Sequence, residues 1–96
     1  MTAAPLWRRA SIEGAGLRSL AEAYRALAAA LALPPHFGAS LDALWDSLSA
    51  DMAGPVELVW NDAAASRKFL GADFERLVTV LREAEAARKD FRVRLN

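Results

Sequence analysis

Two aspartates, Asp42 and Asp46, stand four residues apart in the run Leu33-Pro-Pro-His36-Phe-Gly38-Ala-Ser40-Leu-Asp42-Ala-Leu-Trp45-Asp46-Ser-Leu48. On a helix that spacing puts both carboxylates on one face. A pair so placed can act as general acid and base on a substrate, or it can present negative charge to a cationic partner. It does not help the helix, because like charges at this spacing destabilise an isolated helix by roughly 0.2–0.5 kcal/mol. The surrounding sequence favours the second use. No lysine or arginine lies between Arg25 and Arg67, while Asp42, Asp46, Asp51, Glu57 and Asp62 all fall there. The 12 bases and 12 acids of the chain cancel in sum, so the neutral total conceals an acidic middle between basic flanks.

Composition removes several other chemistries. There is no cysteine and one histidine, which excludes disulfides, thiolate nucleophiles and a multi-histidine metal site. Neither a phosphate-cradling glycine loop nor a nucleophile with a base and an orienting group is present. No catalytic residue, metal or cofactor is therefore expected. A small acid–base enzyme built on Asp42 and Asp46 remains the rival, and it would need a concave pocket at the start of their helix. Net charge near zero argues against direct nucleic-acid binding. The longest apolar run, 26–33, is too short to span a bilayer, and the N-terminal arginines have no hydrophobic segment behind them, unlike a secretory signal. A soluble cytoplasmic protein without a membrane partner is expected. At 96 residues the chain reads as a single domain, 1–96, able to bury about 60–70% of its unfolded surface.

The elements that position the aspartates follow from periodicity. Ala10 and Ile12 alternate with Ser11 and Glu13 as the end of a strand, and Gly14 and Gly16 mark the turn after it. Ser19-Leu-Ala-Glu22 has capping-box spacing. A helix to about Leu31 follows, with Leu20, Tyr24, Leu27 and Leu31 as its apolar stripe, and Pro34-Pro35 ends it. Ser40 can cap a second helix whose stripe is Leu41, Leu44, Trp45 and Leu48. Gly54-Pro55 opens the strand Val56-Glu57-Leu58-Val59-Trp60, and Asn61 or Asp62 can cap a short helix through Phe69. A last helix, about 72–87, buries Phe74, Leu77, Val78 and Leu81, and Phe91-Arg-Val-Arg-Leu95 is a third strand. Polar residues on the second face of each strand imply helices on one side of the sheet only. The β-α-α-β-α-α-β order, with crossovers too long for hairpins, implies parallel pairing. The expected fold is a two-layer α/β protein with a three-stranded parallel sheet, whose strand order the pattern does not give.

Around the aspartates, Trp45 lies on the edge of the core stripe, where it can serve the core and a contact together. His36 sits in the turn, a ring able to titrate beside two carboxylates. Gly38 reads as a turn glycine where the backbone enters the helix. Glu83 falls on the solvated side of the last helix. Arg92 and Arg94 are expected to cover the open face of the sheet.

The run 33–48, with the Val-Glu-Leu-Val-Trp strand, the Leu81-Arg82-Glu83-Ala84 run and the terminal strand, resembles the barstar family of intracellular ribonuclease inhibitors over essentially residues 8–96. The resemblance implies the same fold, a three-stranded parallel sheet with helices on one face. It further implies a one-to-one complex in which the second helix and preceding turn plug the active site of a small basic ribonuclease. By position, Asp46 would imitate an RNA phosphate, Asp42 would pair with a further base and Glu83 would reach across from the last helix. Leu41, Trp45 and Gly38 would shape the contact. The chain departs from the family pattern at His36, which replaces a stacking tyrosine, at Ser40, which replaces an asparagine cap, and at Asp51, which replaces an exposed tryptophan. Ala87 stands where the family has a further acid. These changes leave room for a different toxin or another basic protein as the partner.

Overall fold

The computed structural model describes residues 6–34 and 38–96. Alternating side chains form β1 (Arg8–Glu13) and β3 (Phe91–Leu95), and a more apolar run forms β2 (Val56–Asn61). The strands pair in parallel in the order β1-β2-β3, with Leu58 opposite Ala10 on one side and Val93 on the other. Helices α1 (Leu20–Ala30) and α2 (Leu41–Asp46) connect β1 to β2, and α3 (Ala63–Leu70) and α4 (Ala72–Ala87) connect β2 to β3. This is the two-layer α/β arrangement expected from the sequence.

The strand period decides the layering. Ala10, Ile12, Val56, Leu58, Trp60, Phe91 and Val93 join one buried cluster with Leu27, Leu31, Leu44, Leu48, Phe74, Leu77 and Leu81 of the helices. On the opposite face Arg9, Ser11, Arg92 and Arg94 are exposed. Arg9 pairs with Glu57 at 3.4 Å, and the Arg92 guanidinium lies 3.9 Å from the centre of the Trp7 ring. The arginines of β3 thus sit on the uncovered face, as their alternation with Phe91 and Val93 requires.

Complete burial of Trp60 demands an acceptor for its indole N–H. Ser66 of α3 supplies it: Trp60 Nε1 donates to Ser66 Oγ at 2.9 Å, and Ser66 Oγ donates to the Gly14 carbonyl at 2.9 Å. The Phe74 ring meets Trp60 edge-on at 5.2 Å. A Cβ at residue 14 would come within 2.5 Å of the Asn61 carbonyl and of Ser66 Oγ. Gly14, which opens a short 3-10 turn (Gly14–Gly16), is therefore required by close approach of two chain segments as well as by the turn.

Helix ends follow the expected residues with three differences. Ser19 Oγ accepts from the Glu22 N–H at 3.2 Å, but its hydroxyl donates to the Glu22 carboxylate at 3.2 Å, so the reciprocal backbone bond of a full capping box is not made. Asp62 occupies the cap position of α3 with φ 53° and makes no side-chain cap bond; its left-handed backbone, which Asp tolerates better than most residues, replaces the extended conformation from which a side chain caps. Finally, α1 ends before the prolines. Leu33 N–H bonds the Ala28 carbonyl at 2.9 Å and Ala32, at φ 53°, bonds Ala29 at 3.4 Å, the double closure that usually uses glycine in the left-handed position.

Two stability measurements check this account. Ser66→Ala leaves the buried Trp60 Nε1 without a partner and takes from the Gly14 carbonyl one of its two donors, the other being the Leu17 N–H, and should cost about 1–3 kcal/mol, lowering the melting temperature by roughly 4–8 °C per kilocalorie. Ala32→Gly should act oppositely and stabilise by about 1 kcal/mol, because it relieves a left-handed alanine.

Candidate functional site

Helix α2 starts where Ser40 Oγ accepts the Ala43 N–H at 3.0 Å. The preceding residue, Ala39, takes φ 47°, and among the described residues a Cβ on Gly38 would make an ordinary 3.5 Å contact with Ala43. A left-handed residue that the sequence did not single out, Ala39, thus stands beside Gly38 at this entry. His36 lies outside the described residues. Leu44 and Leu48 are fully buried, and Leu41 and Trp45 are partly buried against the core. Trp45 thus keeps part of its surface at the edge of the stripe, beside the exposed Asp42 and Asp46.

The helix continues beyond Asp46 as one π-helical turn (Ser47–Asp51), closed by the Met52 N–H on the Ser47 carbonyl at 2.8 Å. This wider turn keeps Leu48 inside while Ser49, Ala50 and Asp51 face solvent. Helix α2 packs against α4, which carries Glu83 on its exposed side. Side chains hold α4 to the sheet: Arg82 donates to the Val93 carbonyl at 2.9 Å, and Glu85 accepts the Val93 N–H at 2.8 Å.

The pairing of acids separates this surface from the rest of the molecule. All 12 acids fall within the described residues. Seven carboxylates engage a partner: Glu13 with Asn61, Glu22 with Ser19, Glu57 with Arg9, Asp73 with Arg76, Glu75 with Arg67, Glu85 with Arg82 and Val93, and Asp90 with Arg88. Asp42, Asp46, Asp51, Glu83 and Asp62 have no ion pair or side-chain hydrogen bond among the described residues. Four of these five are the acids singled out from the sequence, and they belong to α2, to its π turn and to α4. The fifth, Asp62, begins α3.

A pocket suited to acid–base catalysis would have to gather carboxylates. The groove of about 440 Å³ between α1 and the segment leading to α2 is lined by alanines, Leu33 and Pro34, with Tyr24 and Arg25 and no acid. Burial, and after it the charge of Asp73, raises the Tyr24 phenol above its usual pKa. No group of three or more His, Cys, Asp or Glu side chains among the described residues could hold a metal ion. No described helix is long and apolar enough to cross a membrane.

One residue at this site carried no signal in the sequence. Arg88, in the loop after α4, donates to the carbonyls of Leu48 and Met52 at 2.7 and 2.8 Å and to both oxygens of Asp90 at 2.8 Å. An arginine two residues before an aspartate looks like an ordinary turn pair, and its partners in the π turn are 36 and 40 positions away.

Fold and surface together define a small two-layer α/β protein in which, among the described residues, the carboxylates of one helix and a single carboxylate of its neighbour are unpaired. The family model described as Barstar (barnase inhibitor) matches residues 7–96, and the chain belongs to that family. It is also 31% identical over 83 residues to a Bacillus subtilis (strain 168) protein named "Putative ribonuclease inhibitor YrdF", covering 86% of this chain and 91% of that relative.

The Arg88 hydrogen bond, assisted by its charge, holds the Asp90 carboxyl below its ordinary pKa against the opposing effect of burial. A carboxylate whose folded pKa lies below its unfolded one stabilises above the unfolded value and loses that contribution as pH falls through the folded one. Asp90→Asn should therefore be less stable than the wild type at neutral pH, and the gap should close as pH falls through and below the carboxylate range. Urea denaturation of both proteins across that range measures it.

Proposed function

We propose that this protein inhibits a small basic ribonuclease by forming a one-to-one complex, with the acids of α2 standing in for RNA phosphates in the enzyme's active site. The observation that carries the reading is the set of unpaired carboxylates Asp42, Asp46 and Asp51, in a stretch of sequence without bases, together with the unpaired Glu83 of the neighbouring α4. Membership of the barstar family and the relative named as a ribonuclease inhibitor support the same class of partner. In this reading Asp46 is the phosphate mimic, Asp42 pairs with a second base and Glu83 makes a third contact from α4. Leu41 and Trp45 supply apolar area between the charges, and His36, Gly38 and Ser40 border the contact. The protein performs no chemistry, takes no cofactor and acts by occupying the active site. Its place of action is the cytoplasm, on an enzyme made by the same cell or delivered into it.

Asp51 favours a second reading in which the scaffold serves as an immunity protein against a different toxin. It adds an exposed charge at the end of the π turn, where the family pattern has an aromatic residue, and peripheral changes of this kind redirect partner choice.

RNA-cleavage assays with barnase and with the basic ribonucleases secreted by the source cell, titrated with this protein, test the first reading. Inhibition should saturate at one equivalent. Asp46→Ala should weaken the complex by about 2–5 kcal/mol, the magnitude known for truncated buried charge pairs, barstar-type complexes among them. A loss below about half a kilocalorie, the scale of an exposed pair, would reject the phosphate-mimic role. The association rate should fall steeply with salt, since exposed charges steer encounter only within a Debye length.

A further inference from the structure

The acidic helix ends badly by its own means. A helix C-terminus concentrates partial negative charge and leaves carbonyls without donors, and neither α2 nor the π turn has a basic residue in its last turn. Asp46 and Asp51 add two further negative charges at that end. The missing donor comes from a distant element: Arg88 Nη1 reaches the Leu48 and Met52 carbonyls. Its side chain is 16% exposed, against 44% for Asp90, so the guanidinium is enclosed by the groups it binds.

The rest of the loop holds Arg88 in place. Its Nε and Nη2 donate to the two oxygens of Asp90, a two-point geometry that lysine cannot reproduce. The Asp90 carbonyl accepts the Val56 N–H at 2.9 Å, which ties the loop to the start of β2. A Cβ on Gly54 would collide with the Asp90 carboxylate, so Gly54 leaves the slot in which that carboxylate lies. Asp90 also cancels the positive charge of Arg88. The helix end receives two donors without a net cation being placed behind the acids that face outward.

We propose that Arg88, with Asp90, is a positioning residue: a charge-neutral clamp that fixes the end of the acidic helix so that Asp46 and Asp51 are held in their binding geometry. The clamp controls how long a partner stays bound, while the unpaired acids control how fast it arrives. This inference rests on the ribonuclease-inhibitor reading for its partner, but the clamp itself can be read without one.

The experiment compares the full-length wild type with Arg88→Met, Asp90→Asn and the double variant, at a temperature where circular dichroism shows each one folded. Association and dissociation are followed by stopped flow with the ribonuclease that the wild type inhibits, and backbone exchange is followed by NMR. Arg88→Met should raise the dissociation rate by about tenfold, as interface changes act mainly on dissociation, and should expose the Met52 amide to exchange. It removes a cation, so association should be unchanged or faster. Asp90→Asn leaves an uncompensated cation near the acids and should slow association. The double variant restores charge balance without the clamp, and should associate at the wild-type rate while dissociating as fast as Arg88→Met. A residue needed only for stability would lower the melting temperature and leave the rates of the folded variants alone. Unchanged dissociation in folded Arg88→Met overturns the clamp. If the wild type binds no ribonuclease, the proposed function falls, and Met52 exchange alone judges the clamp: retained protection in Arg88→Met rejects it and lost protection supports it.

Discussion

The acidic helix is held to the sheet by its apolar side against the repulsion of its charged one. Leu44 and Leu48 are fully buried, and each such side chain contributes about 1.5–3 kcal/mol relative to exposure. The repulsion of Asp42 and Asp46 amounts to roughly 0.2–0.5 kcal/mol, so packing wins by a wide margin. Everything on the outer surface of α2 depends on that difference. A segment of six helical residues and one π turn is too short to persist alone. It stays helical because the sheet and α4 receive its leucines, and this frees its exposed positions from any duty to the fold.

The two classes of acid reflect this division. The seven paired acids tie the structure together: Glu85 holds α4 to β3, Glu57 meets Arg9 across adjacent strands, and Asp90 fixes the loop below the π turn. Those on α2 and at Glu83 tie nothing within the described chain. Segregating the charges, rather than accumulating them, lets a protein with equal numbers of acids and bases carry a locally acidic surface. Basic side chains populate the far face of the sheet, where Arg92 lies against Trp7 and Arg94 is exposed.

Features set by local periodicity were legible in the sequence. The strands, the serine caps of α1 and α2 and the apolar stripes all follow from residues within a few positions of one another, and Asp42 and Asp46 stood out by spacing and charge. Features set by distant contacts were not. Nothing near Gly14 announces that Ser66 and the Asn61 carbonyl press against it, and nothing near Arg88 announces Leu48 and Met52. The left-handed alanines, Ala32 and Ala39, were hidden for another reason. Propensity assigns such positions to glycine, so an alanine in the left-handed region carries no mark in the pattern.

The fastening of α4 to Val93 has a further consequence. β3 is an outer strand, and an unpaired outer strand is a template on which other chains can add. Arg82 and Glu85 occupy the Val93 carbonyl and N–H, so at mid-strand the edge has already spent the groups that an incoming backbone would need. In the proposed one-to-one complex, the protein has to accumulate to its target's own concentration. The same two side chains that orient the helix bearing Glu83 also guard the sheet against self-assembly at that concentration.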